Sequence, residues 1–154
     1  MKTGILLCKM ILLTVVLVSQ SFAASSISGA NAGVAIGGYD AVAYFTDGKP
    51  RLGRVDFATE WQGAVWRFSN AEHVQLFKAT PEKYAPQYGG YCAYAMANGG
   101  LAAGDGKRWR IVNDKLYLNN NLLAQKLWEQ NVAENIVQAD NHYPAVKARL
   151  EAGQ

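Results

Sequence analysis

Turn signals punctuate this chain so closely that long uninterrupted elements have little room between Tyr39 and Pro144. Asp47-Gly48 with Pro50, Gln62-Gly63, Pro81, Pro86, Asn113-Asp114 and Pro144 each favour a change of course. So do the pairs Gly89-Gly90 and Gly99-Gly100. Glycine and asparagine do this through left-handed backbone, proline through a fixed φ and a missing N–H.

The elements that fit between these signals are short. Tyr39–Phe45 (YDAVAYF) reads as an opening strand. Phe57–Trp61 and Ala64–Phe68 read as a hairpin closed by Gln62-Gly63. Ser69-Asn70-Ala71-Glu72 fits a capping box, and the helix it starts should stop by Thr80, before Pro81. Val74 and Phe77 share the apolar face of that helix, with Leu76 at its margin. Pro81 opens a further turn through Ala85, which Pro86 ends. Tyr91–Ala97 is too short for periodicity to choose between helix and buried strand. Trp109–Val112 and Leu116–Leu118 form a second hairpin around Asn113-Asp114. Asn119-Asn120-Asn121 then offers a cap for a helix whose Leu122, Leu123, Leu127 and Trp128 face inward. Val132–Ala139 continues as helix with Ile136 and Val137 inward. Pro144 marks a break, and Ala145–Leu150 makes a last turn. No internal repeat is visible. The expected fold class is α+β: two small sheets of short antiparallel strands, with several short helices packed on them. Four tryptophans and eight tyrosines supply the large burial per residue that a small domain needs.

Of the 154 residues, 1–23 are expected to lie outside this domain. Lys2 and Lys9 are their only charges, an apolar run extends from Met10 to Val18, and Ser21-Phe22-Ala23 places small residues before a cut after Ala23. These are the parts of a secretory signal peptide. The apolar run is too short to be a membrane anchor, which needs roughly 20 residues. The expected location is periplasmic or secreted, with no membrane-spanning segment after cleavage. Residues 24–37, rich in Ser, Ala, Gly and Asn, read as a flexible lead-in, and 38–151 as a single domain. Cleavage leaves 13 basic against 12 acidic side chains, a net charge of +1. That balance is too near neutral to imply nucleic acid as a partner.

Without Cys8, the domain keeps one thiol, Cys92, inside the glycine-bracketed stretch Gln87–Gly100. A lone thiol in an exported protein is reactive, metal-ligating or buried, and burial is the commonest fate. With His73 and Met96 it would form a soft donor set suited to copper or zinc. With His73 or His142 as base it would make a thiol enzyme or redox protein. Tyr88, Tyr91 and Tyr94 could line a pocket for a small ligand, or simply pack. If Cys92 and Met96 are core residues, His73 falls on the exposed side of its helix. His142, just before a proline, reads as a surface loop residue. Asp40 could cap a turn or pair with an arginine. No G-x-S-x-G, H-E-x-x-H, C-x-x-C or nucleotide-binding glycine pattern is present.

Trp66–Tyr84 (WRFSNAEHVQLFKATPEKY) resembles the YHS domain family, in its free-standing exported bacterial form. The shared pattern is an aromatic-x-Phe, two small polar residues, a short helix ending in Phe, then Pro-x-x-Tyr. Here these are Trp66, Phe68, Ser69, Asn70, Phe77, Pro81 and Tyr84, and Tyr39-Asp40-Ala41-Val42 looks like the family's opening strand. The match covers Tyr39 to Tyr84. The resemblance implies a small α+β domain that binds a metal, a small ligand or a partner protein. Metal-associated members carry cysteines at positions occupied here by Ala43, Ser69 and His73, so the implied metal set is depleted to one histidine. Three readings follow: a non-catalytic binding module, a thiol-dependent enzyme, and a purely structural or interaction protein.

Overall fold

A computed structural model describes residues 25–153. The expected signal peptide lies outside them. Two 3-10 turns, Ala30–Ala32 and Ala35–Gly38, precede a short helix α1 (Ala43–Thr46). Strands β1 (Arg54–Trp61) and β2 (Ala64–Phe68) follow, then helices α2 (Ala71–Ala79) and α3 (Pro81–Tyr84). A third 3-10 turn, Gln87–Gly90, leads to α4 (Ala93–Ala97), β3 (Asp105–Val112), β4 (Lys115–Asn119), α5 (Leu122–Gln130) and α6 (Val132–Glu151). Six helices and two antiparallel two-stranded sheets make this a small α+β fold. No described helix is long and apolar enough to cross a membrane.

Both expected hairpins are present. Trp61 pairs with Ala64 across Gln62 (φ 48°) and Gly63 (φ 71°). Val112 pairs with Lys115 across Asn113 (φ 49°) and Asp114 (φ 58°). Two successive left-handed residues are the turn whose twist matches that of the strands it joins. The first strand of each hairpin is longer than expected because each continues past an irregularity in register, Arg54/Ala58 and Asp105/Trp109.

Several local expectations are corrected. Tyr39–Phe45 is not a strand: only Tyr39 makes a bridge, to Leu52, and the chain then turns into α1. Asp40 causes this by accepting the Val42 and Ala43 amides. Residues 25–37 are packed, with Ile27, Ala35 and Ile36 in the core. Ser28 N–H donates to the Gly89 carbonyl at 2.9 Å, so the domain begins near Ser25. Asn70, not Ser69, caps α2, accepting the His73 amide at 2.9 Å. Leu122, Leu123 and Val137 are exposed; the side chain that α5 buries is Trp128. Pro144 does not break α6. It sits on the exposed face, beside an exposed Asp140 whose freed carbonyl has access to water. Ala139, Val146 and Leu150 on the opposite face are buried, and that packing holds the helix together across the proline.

An internal repeat, absent from the sequence reading, is plain in space. Arg54 and Asp105, Ala64 and Lys115, Ala71 and Leu122, and the caps Asn70 and Asn121 all stand 51 positions apart. The turns at Ala35–Gly38 and Gln87–Gly90 share a run of left-handed residues that ends in Gly-Gly-Tyr. Each unit is therefore a glycine turn, a short helix, a hairpin and an Asn-capped helix. Asp40 of the first unit and Cys92 of the second follow the same Gly-Gly-Tyr. The first unit builds a core around Trp66, Phe68 and Phe77, the second around Tyr117, Trp128 and Met96. The units part where α3 stops at Tyr84 but α6 runs on to Glu151.

Candidate functional site

The polar centre of the first unit is Asp40, which is fully buried. Its Oδ1 accepts the amides of Val42 (2.9 Å) and Ala43 (3.2 Å). Its Oδ2 accepts the Ser69 amide and hydroxyl, both at 2.7 Å, and lies 2.7 Å from His73 Nδ1. A carboxylate offers only lone pairs here, so Nδ1 carries a proton. His73 Nε2 lies 3.2 Å from Thr46 Oγ1, which is itself 2.9 Å from Asp47 Oδ1. Asp47 pairs with Arg51. The Thr46 hydroxyl and Arg51 hold the Asp47 carboxyl below the usual carboxylate range. A hydrogen-bonded chain thus runs from a buried carboxylate through an imidazole to the surface. His73, expected on an exposed helix face, is instead buried, because Asp40 draws the first turn of α2 onto the turn that starts α1.

Cys92 is also buried. It caps α4: its sulfur accepts the Ala95 amide at 3.5 Å, and its S–H donates to Asn119 Oδ1 at 3.6 Å. Asn119 Oδ1 accepts the Tyr94 amide as well, at 3.1 Å. The thiol thus does for α4 what the Asp40 carboxylate does for α1. The soft set of Cys92, His73 and Met96 is divided among separate tasks. His73 is engaged by Asp40, Ser69 and Thr46, Cys92 by Asn119 and Ala95, and Met96 lies in the second core. Among the described residues, no group of three or more His, Cys, Asp or Glu is placed to hold a metal.

The three tyrosines pack and tie elements together. Tyr88 is buried against Tyr117 and Tyr143, and its hydroxyl donates to Asp140 at 2.9 Å. Tyr91 donates to the Ser25 carbonyl at 2.7 Å, and half-buried Tyr94 packs against the second core. His142 is not in a loop. It lies within α6, half-buried, with Nδ1 3.2 Å from the Met96 carbonyl.

Two open clefts lie elsewhere. One, of about 270 Å³, is lined by Gly99, Leu101, Val146, Arg149 and Leu150. The other, of about 190 Å³, is lined by Thr59, Glu60, Trp61, Phe77, Lys78 and Pro81. None of the three tyrosines lines either cleft. The sequence pass singled out neither the Asp40–Ser69–His73–Thr46 cluster nor the larger cleft. Ser69 and His73 are four apart at a helix start, a spacing that places them on one side and was legible. Nothing local links Leu101 to Arg149.

Burial of the phenols has a measurable consequence. Tyr44 is enclosed and donates to the Gly106 carbonyl at 2.7 Å, and desolvation pushes its pKa far above the ordinary value. The folded state therefore binds this proton more tightly than the unfolded state does. Its contribution is complete below the unfolded pKa of about 10 and declines above it, by roughly 1.4 kcal/mol per pH unit. Tyr88 shifts in the same direction, from burial and then from Asp140. Urea midpoints should fall steeply above about pH 10. Tyr44→Phe, less stable at neutral pH, should flatten that fall.

Fold and site together define a small α+β domain of two repeated units, whose polar and thiol side chains hold the units in shape. Comparison of the chain with models of known families, with curated proteins and with solved structures returned no match. The resemblance of Tyr39–Tyr84 to the YHS family rests on those residues themselves.

Proposed function

We propose that the chain is the precursor of an exported, non-catalytic binding module of the YHS type, which takes a small ligand. The observation that carries this reading is the contrast between engaged reactive groups and an open cleft. Asp40, His73 and Cys92 are buried and hydrogen-bonded within the fold, whereas the cleft beside α6 is accessible and largely apolar. Small-molecule sites have this character: apolar walls with a few polar groups. The YHS assignment is supported by the roles of its motif residues. Trp66, Phe68, Phe77 and Tyr84 lie in one core around α2, and Pro81 opens α3. Export is supported by the charged start, apolar middle and small-residue exit of residues 1–23.

The test uses the chain from Ala24, beside Cys92→Ala. Native Cys92 should resist alkylation until the protein unfolds, since a buried thiol packed as a helix cap has no access to reagent. Copper(I) and zinc(II) should bind both forms equally weakly. A small-molecule panel should contain compounds that raise the thermal midpoint of both. Stoichiometric metal held only when Cys92 is present, or rapid alkylation with a depressed thiol pKa, would overturn the reading in favour of a metal site or a thiol enzyme.

A further inference from the structure

The geometry points to the cleft between Gly99–Leu101 and the last turns of α6 as a site for a small apolar monocarboxylate, its carboxylate held by Arg149. This deepens the binding-module reading and rests on it. The first observation is where the cleft lies. The two units match from glycine turn to capped helix, and the second departs from the first where α6 runs past the length of α3. Val146, Arg149 and Leu150, three of the five cleft residues, belong to that added length. The second observation is charge. Arg149 has no ion-pair partner among the described residues. Residues three and four positions away on its helix are Ala145, Val146, Ala152 and Gly153, so no acid lies within helical reach. The nearest acid in sequence, Glu151, pairs with Lys147 at 3.7 Å. The third observation is shape. Leu101 remains 47% exposed at the cleft, although the neighbouring Met96 and Ala97 are buried. Gly99 adopts φ +71°, and the His142 ring stands beside it. The His142 Nδ1 proton is directed to the Met96 carbonyl, so its charge is not required for the site.

The volume sets the size of the ligand. A space of about 270 Å³ equals roughly nine water volumes at ~30 Å³ each. An apolar body of that size with one carboxylate is met by octanoate. The guanidinium offers paired N–H donors that match a carboxylate, and the leucine and valine side chains cover the chain.

Octanoate and octanol, equal in length and different in charge, are titrated into isotope-labelled protein while amide shifts are followed. Octanoate should move the amides of Gly99–Leu101 and of residues 146–150, and should bind about tenfold more tightly than octanol, as a charge-assisted contact allows. Arg149→Ala should erase that preference, Arg149→Lys should keep part of it, and Leu101→Asp should lose both ligands. These side chains are exposed, so thermal midpoints should stay close to the parent's and separate lost binding from lost folding. Octanoate shifts that map elsewhere would overturn the cleft assignment and leave the binding module standing. Equal binding of octanoate and octanol would overturn the carboxylate. No shift with either would overturn the site altogether.

Discussion

Asp40→Ala should remove most of the protein's stability. Five donors converge on this one buried carboxyl: the amides of Val42, Ala43 and Ser69, the Ser69 hydroxyl and the His73 ring. Removing it strands all of them out of reach of water. Truncating one partner of a buried charged pair costs about 3–5 kcal/mol, against a total of about 5–15 for a typical domain. Asp40→Asn separates charge from space-filling. The amide can still accept from Val42 and Ala43 through its oxygen, but its NH₂ then faces the donors of Ser69 and His73. A loss of about 2–3 kcal/mol is expected, since a buried donor without an acceptor costs about 1–3. Ser69→Ala removes one hydroxyl and should cost about 1 kcal/mol. Urea denaturation of the three variants should give the order Ala, Asn, then Ser69→Ala, from most to least damaged. An Asp40→Asn protein as stable as the parent would show that the carboxylate is not what joins α1 to α2.

Gly89→Ala should be the most damaging of the glycine substitutions outside the hairpins. Gly89 has φ +63°, and an added Cβ would drive into the Ser26 carbonyl oxygen. That atom is backbone, in a segment held by Ser28 N–H on the Gly89 carbonyl. Left-handed backbone alone costs a residue with a Cβ about 1–2 kcal/mol. The forced shift adds about 1–3 more. Gly48→Ala is the control, because Gly48 has φ +64° with nothing within 4 Å of the new methyl, so only the backbone cost applies. The two midpoints should therefore differ. Hydrogen exchange should also show the Ser28 and Ile36 amides losing protection in Gly89→Ala while the β3–β4 hairpin keeps its own. If the variants were equally stable, residues 25–37 would not be docked through Gly89.

The two hairpins and the two Asn-started helices were legible because their signals are local. A pair of turn residues sets a left-handed step, and Asn70 and Asn121 cap through their own neighbours. Pro81 at a helix start is equally local. The misreadings share a different cause. Tyr39–Phe45 has strand composition, yet Asp40 turns the chain with bonds to its own next residues. Residues 25–37 have little apolar content, yet Ile27 and Ile36 find a core made by distant residues. Pro144 breaks helices in general, but the packing of Val146 and Leu150 offsets its cost here.

The repeat escaped for a related reason. Equivalent places hold unlike side chains: Asp40 against Cys92, Phe68 against Asn119, Phe77 against Trp128. Backbone conformation repeats where identity does not. The paired Gly-Gly-Tyr at 37–39 and 89–91 was the one visible trace.

Sequence alone determined the α+β class, the hairpin turns and most of the helix starts, because each depends on bonds between residues a few positions apart. Tertiary structure decided the fate of the reactive groups. Whether a thiol, an imidazole or an arginine is enclosed or open depends on residues 30 to 50 positions away, such as Asn119 for Cys92, Asp40 for His73 and Leu101 for Arg149. Burial and hydrogen bonding are properties of what surrounds a side chain, and the surroundings are chosen only when the whole chain has closed upon itself.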